Sequence, residues 1–268
     1  MSGQESSRVQ GALFEIWSAK LATARPSPLL MRNARLRRDP AHIWNWTLPA
    51  LRAELPSGQK IVTCPSAGTC ADICYALFGT YRWRPVQERH VRNLRFVVED
   101  LEGWEQAMRA ELGARRFRGA AVRIHDAGDF FSDAYLSAWL RIITARPGVF
   151  FYAYTKEVMR FRRLVEPKPP PNLAWVYSLG GKHDGQLDPA VDRVADVFPT
   201  EAAIADAGWH SQEASDLLAV QGPSPVGMSV NRIPAAVRLL GDRTLAQMQQ
   251  ESDRRKRALR ASRRGERR

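Results

Sequence analysis

From Lys60 to Val230 the chain keeps exchanging two patterns, and this alternation limits its fold more than any other feature. Short runs rich in Val, Ile, Phe and Tyr occur at 60–63, 121–126, 149–154, 173–179, 193–198 and 226–230, and between them lie segments with apolar residues at three- or four-residue steps. The first pattern is that of buried strands and the second that of amphipathic helices. Strands that alternate with helices pair in parallel and are covered on both faces. We therefore expect an α/β fold whose six strands form an open or partial barrel, with ligands gathering at the carboxyl ends of the strands.

The helical segments can be placed more closely. Val91, Leu94, Val98, Leu101 and Met108 mark a stretch over 85–112 with a break near Gly103. Ser132 or Asp133 caps the next helix, whose stripe is Tyr135, Leu136, Trp139, Leu140 and Ile143 and which ends at Pro147-Gly148. A third helix runs from about Lys156 to Val165, before the prolines at 167–171, and a last one begins near Ile233. Trp139 and Trp175 fall in apolar periodic segments and are expected in the core. Prolines 26, 28, 40 and 49 interrupt residues 1–59, which we read as a helical N-terminal cap preceding a domain over 60–252.

With 268 residues, 44% of them hydrophobic, the chain can bury a sizeable core. No run approaches the length of apolar sequence that crosses a bilayer, and Met1 to Gln10 lacks the organisation of a secretory signal, so no membrane partner and a cytoplasmic location are expected. The net charge of +12 is concentrated at one end. Nine Lys/Arg against Asp253 and Glu266 give residues 253–268 a net +7, leaving +5 for the rest. Such a tail is expected to be solvated and partly disordered, or to contact nucleic acid.

All three cysteines, Cys64, Cys70 and Cys74, lie in one eleven-residue stretch directly after the run at 60–63. Their odd number argues against a disulfide framework. Thiolates suit soft metals, and three on one loop anchor an iron–sulfur cluster while leaving one iron open. Two other readings stand beside this one: a structural zinc site completed by His90 or His125, and three structural thiols without metal. The following strand ends are polar as well. They carry His125, Asp126, Gly128 and Asp129; then Tyr154 and Lys156; then Ser178, Gly180, Gly181 and His183. Strand alternation sends Arg123 and His125 to one side and Asp126 to the other, unless the strand has ended by then. Asp129 is expected to touch a ligand and Gly128 to let backbone approach it, while Gly180-Gly181 can form an anion nest or a simple turn. Arg89, Arg92 and Arg95, at helical spacing, form either a basic stripe above the cysteines or a solvated face.

The cysteine loop, with Ile73 and Tyr75 flanking Cys74, resembles that of radical S-adenosylmethionine enzymes, and Ala127-Gly128-Asp129-Phe130 looks like a shortened form of their Gly-Gly-Glu-Pro turn. This chain has five and then three residues between its cysteines, where that superfamily usually has three and then two, and Asp129 replaces Glu. The resemblance implies a six-stranded parallel partial barrel of TIM type, a [4Fe–4S] cluster on the three cysteines and S-adenosylmethionine as a second cofactor. Gly128, Asp129, Tyr154, Lys156, Ser178 and His183 would then be cofactor or substrate contacts, and a substrate and an electron donor, neither identified, would be partners. Over a longer range the chain resembles the bacteriophage "gene product 88" family. The stretches that carry this are 64–81, 89–93, 123–131 with Tyr135 and Trp139, 151–156 and 227–232. That resemblance implies a phage or mobile-element protein and names no reaction. A second functional class follows from the same residues: a metal-stabilised protein that binds nucleic acid through its basic tail.

Overall fold

The computed structural model describes residues 28–230 and 233–265. In chain order the elements are α1 (Ala34–Arg38), β1 (Ile43–Trp46), β2 (Arg52–Glu54), β3 (Lys60–Val62), α2 (Arg84–Glu99), α3 (Leu101–Leu112), β4 (Ala121–Ile124), α4 (Asp133–Thr144), β5 (Phe150–Thr155), α5 (Val158–Leu164), β6 (Leu173–Ser178), β7 (Val194–Phe198), α6 (Glu201–Asp206), β8 (His210–Ser211), α7 (Leu218–Gln221), β9 (Val226–Ser229), α8 (Pro234–Leu240) and α9 (Leu245–Gly265). Seven strands form one sheet in the order β1-β4-β5-β6-β7-β9-β8. Every pairing within it is parallel. The two edge strands do not pair with each other, so the sheet is open and does not close into a barrel.

Five of the six expected strands lie in this sheet. The sixth, at 60–63, does not: β3 pairs antiparallel with β2 in a separate hairpin whose Lys60 and Val62 are exposed. The first strand of the main sheet is instead Ile43–Trp46, which pairs with β4 from Ile43↔Ala121 to Trp46↔Ile124. Pro40 and Pro49, which we read as breaking helices, bracket this strand, so Ile43–Trp46 is part of the sheet rather than of a helical cap upon it. Residues 1–27, which were also assigned to that cap, lie outside the described residues.

The two faces of the sheet are covered differently. On one, Trp46, Val122, Ile124, Phe151 and Ala153 pack under α2–α5 through Leu94, Trp104, Met108, Leu136, Trp139, Ile143 and Phe161. As expected, Trp139 is fully buried there and Trp175 packs against the same core. On the other face Ile43, Ala121, Tyr152, Val176, Ala195 and Val226 meet Leu36 of α1 and Ala219 and Val220 of α7. Burial on both sides is what makes the strands near-continuous apolar runs.

The helix boundaries have local causes. Asp100 Oδ1 accepts from Gly103 N at 2.8 Å, separating α2 from α3 and giving the break expected near Gly103. Ser132 Oγ accepts from Tyr135 N at 3.2 Å to cap α4. The last helical segment is two helices, α8 with Pro234 in its first turn and α9, divided at Gly241. Helix α9 continues through Gly265, so the basic stretch expected as a partly disordered tail is helical as far as it is described. Arg, Lys, Gln, Ala and Leu, which make up most of it, are strong helix formers. No helix among the described residues is long and apolar enough to cross a membrane.

Candidate functional site

The three cysteines lie on a loop that is fastened to several strand ends. Thr63 and Cys64 donate their amides to Leu51 O at 2.9 and 3.2 Å, and Thr63 O accepts from Asp129 N at 2.9 Å beyond β4. Ser66 N donates to Glu157 Oε1 at 3.0 Å beyond β5. Gly68 N and Cys70 N both donate to Gly180 O at 3.2 Å beyond β6, while Lys182 N donates to Ser66 O at 3.0 Å. The loop then continues through short 3₁₀ turns at Thr69–Ala71, Tyr75–Leu77 and Gly79–Arg82. The tyrosines of the later turns hold it to β4. Tyr75 donates to Asp126 O, and Tyr81 donates to Asp126 Oδ2 at 2.5 Å.

All three thiols are free and keep partial contact with solvent. Burial, then the Asp129 charge, then Cys74 and Cys70 push the Cys64 thiol up to about 12, against the amide of Leu51, which donates to its sulfur at 3.3 Å. Burial and Cys70 also raise Cys74, while the Ala76 amide and the Lys156 ammonium oppose this. Cys64 and Cys74 are therefore protonated at neutral pH in the absence of a cation, and a metal is the kind of charge that would ionise them. Three thiols on one loop are the donor type that soft metals take. Among the described residues no group of three or more His, Cys, Asp or Glu side chains is arranged to hold a metal ion. Neither histidine considered as a zinc ligand supplies a fourth donor. His125 Nε2 lies 2.7 Å from Tyr135 OH, and burial followed by Arg123 lowers its pKa to about 3. His90 is buried beside Tyr81, and burial lowers it to about 4.

The other expected site residues divide into two groups. Lys156 and Ser178 come together at the ends of β5 and β6, where Lys156 Nζ donates to Ser178 Oγ at 2.5 Å and to Ser178 O at 3.1 Å. Asp129 is close by and buried, but its carboxylate is already engaged. Oδ1 accepts from Phe130 N at 2.8 Å and Thr155 Oγ1 at 2.7 Å, and Oδ2 accepts from Lys156 N at 2.9 Å. Burial and Glu157 nonetheless raise Asp129 to about 6. Its evident work is to tie β4 to β5. Gly128, with φ 82°, is left-handed, and a Cβ there would stand 2.7 Å from Leu48 Cβ, so the close approach it permits is to the chain after β1.

Tyr154 belongs to a different cluster. The Arg123 guanidinium sits 4.6 Å from its ring centroid and pairs with both Asp216 oxygens at 3.2 Å, while Tyr152 OH donates to Asp216 Oδ2 at 2.6 Å. The Gly180-Gly181 nest is filled by the protein itself, since Asp184 accepts from the two amides at 2.7 and 2.9 Å. His183 stands at the start of the following turn and makes no side-chain hydrogen bond among the described residues. Strand β4 ends at Ile124, so pleating does not govern His125: it turns into the aromatic core with Phe130 and Tyr135, while Asp126 lies 3.9 Å from Arg123. Of the three arginines at helical spacing, Arg89 donates to Pro28 O and Leu29 O, Arg95 pairs with Glu99, and Arg92 is exposed.

Two residues that sequence reasoning missed are central here. Asp216, in a polar connection before α7, neutralises Arg123. Gln249 of α9 accepts from Thr69 N, next to Cys70, at 2.8 Å. Neither carries a local signal, because each is one polar residue in a polar segment.

The fold and loop define a mixed α/β protein with a parallel sheet that presents three clustered cysteines near the carboxyl ends of its strands. The chain belongs to the Gene product 88 family, whose sequence profile matches residues 28–262. It is similar to the Gene 88 protein of Mycobacterium phage L5, with 34% identity over 122 residues covering 38% of this chain and 46% of the relative. It is likewise similar to the Gene 88 protein of Mycobacterium phage D29, with 31% identity over 122 residues covering 38% and 45%. The matched region thus spans about half the length of these curated relatives. No solved structure matches the chain.

Proposed function

We propose that the protein is a cytoplasmic iron–sulfur enzyme of a phage or mobile element, in which Cys64, Cys70 and Cys74 hold three irons of a [4Fe–4S] cluster. The observation that carries this reading is the loop itself. All three cysteines of the chain lie on it, Cys70 and Cys74 both bear on the ionisation of Cys64, and hydrogen bonds fix the loop beyond β4, β5 and β6. Six of the seven sheet strands follow chain order, as in a partial (β/α) barrel, which supports the radical-S-adenosylmethionine-like form of the reading.

Cys64, Cys70 and Cys74 would hold the cluster, and its chemistry when bound would be one-electron supply to S-adenosylmethionine. The residues of this chain have simpler tasks. Lys156, beside Cys74 and held by Ser178, would offer a cation to an anionic group of ligand or substrate. Asp129 and Gly128 would keep the ends of β1, β4 and β5 in place around it. The Tyr75 and Tyr81 hydroxyls, spent on Asp126, would hold the loop after Cys74 and limit water access from that side.

Anaerobic purification with iron and sulfide analysis tests the cluster, and low-temperature EPR of the reduced protein tests the open iron. The expected result is about four irons and four sulfides per chain, with a spectrum that changes when S-adenosylmethionine is added. A spectrum indifferent to S-adenosylmethionine would reduce the cluster to a structural element, and a colourless zinc protein would overturn the reading.

A further inference from the structure

Helix α9 leaves the body of the protein part way along its length. Leu245 and Gln249 are buried, residues 251–253 are half-buried, and every residue over 254–263 is exposed. The buried end is firmly seated. Ala246 N donates to Asp196 Oδ1 at 3.0 Å, Gln249 Oε1 receives the Thr69 amide, and Gln249 Nε2 donates to both oxygens of Asp253 at 3.1 Å. Leu245 and Met248 also pack with Ile73 and Cys70.

The exposed end reads Arg-Arg-Lys-Arg-Ala-Leu-Arg-Ala-Ser-Arg, six cations without an acid. A freestanding solvated helix gains stability by pairing opposite charges three or four residues apart, and like charges at that spacing cost it stability. Here Arg254/Arg257, Lys256/Arg260, Arg257/Arg260 and Arg260/Arg263 are all like pairs. The nearest acidic partner is Asp253, 3.7 Å from Lys256. The helix dipole favours cations in the last turn alone, so it does not account for a run of nearly three turns. A membrane surface fits poorly, because Ala258, Leu259 and Ala261 are separated around the helix by cations and form no broad apolar face. A closely spaced row of phosphates supplies the missing anions.

We infer that residues 254–263 of α9 are a nucleic-acid-binding arm that grips the phosphodiester backbone and is held in a fixed place beside the cysteine loop by its Gln249 seat. This inference does not depend on the nature of the metal.

The test uses the full chain and fluorescein-labelled DNA and RNA duplexes of mixed sequence, about 20 base pairs long, with anisotropy read from about 50 to 200 mM salt. We expect affinity to fall about 10³-fold across that range, as about six phosphate contacts imply. The variant carrying Arg254→Gln, Arg257→Gln, Arg260→Gln and Arg263→Gln should bind at least about tenfold more weakly at low salt, with a log–log salt slope shallower by about 3 to 4. Gln matches Arg in helix propensity, so the helix persists. A control set of exposed body cations, Arg52→Gln, Arg115→Gln, Arg118→Gln and Lys168→Gln, should leave affinity within about twofold. Whichever duplex binds more tightly identifies the kind of nucleic acid. Binding of neither duplex, equal loss in the control set, unchanged binding in the arm variant, or preference for phosphatidylserine vesicles over both duplexes would each overturn the inference. Iron and sulfide measured on the same preparations keep its failure distinct from failure of the cluster reading.

Discussion

Arg123 has a 13% exposed side chain and is matched by Asp216 with a 2% exposed one, so each makes the other tolerable away from water. Replacing Asp216 by Ala leaves a buried guanidinium unpaired and strips Tyr152 of its acceptor, and should cost about 3–5 kcal/mol in urea unfolding. Asp196 behaves in the opposite sense. Burial raises it from 3.8 to about 6, against bonds from Thr244, Ala246 and Val197. The folded state therefore holds this proton more tightly than the unfolded state, so the stabilisation is fully present below about pH 4 and is lost as pH rises through 6. Asp196→Asn cannot ionise and should flatten that part of the pH profile, gaining up to about 2–3 kcal/mol over the parent at pH 8 in thermal or urea melts. At the proposed cluster site, Cys70→Ser should lose most of any iron the parent binds, whereas His90→Gln should retain it, because His90 faces Tyr81 and Asp126. Iron loss in both variants would favour a histidine-ligated site.

At the scale of elements, strands buried on both faces were legible because that burial demands an unbroken apolar run. The exception is β1, where Asn45 sits within Ile-Trp-Asn-Trp and its Nδ2 donates to Thr47 Oγ1 at 2.9 Å, so the run looks too polar and too proline-bounded to be central. The run at 60–63 looked right locally, but Lys60 and Val62 face solvent, and no helix follows within reach to return it to the sheet. The seat of α9 offers a direct test of contacts that no pattern announces. Gly180 has φ 89°, and a Cβ there would stand 2.4 Å from Leu245 Cγ. Gly180→Ala should cost about 2–4 kcal/mol. It should also speed hydrogen exchange at the Thr69 amide, because α9 and the cysteine loop would loosen together.

At the scale of the molecule, removing the chain after Ser252 separates its two proposed activities. The cut keeps Leu245 in its apolar seat and Gln249 on the Thr69 amide, gives up the Gln249–Asp253 bonds, and removes the cationic arm. The shortened protein should retain the iron and sulfide of its parent and a melting temperature within a few degrees, while losing the salt-dependent duplex binding. What the sequence determined by itself is whatever periodicity and composition encode: the β/α alternation, the covered sheet, the Ser132 cap and the gathering of three thiols on one loop. Only the tertiary structure decided which strand opens the sheet, that Asp184 fills the glycine nest, that Asp129 serves the chain rather than standing free, and that α9 roots beside Cys70. The reason is physical. Burial acts on every residue of an element and so leaves a repeating mark, whereas a single hydrogen bond such as that from Thr69 to Gln249, 180 residues apart, leaves none in the local sequence.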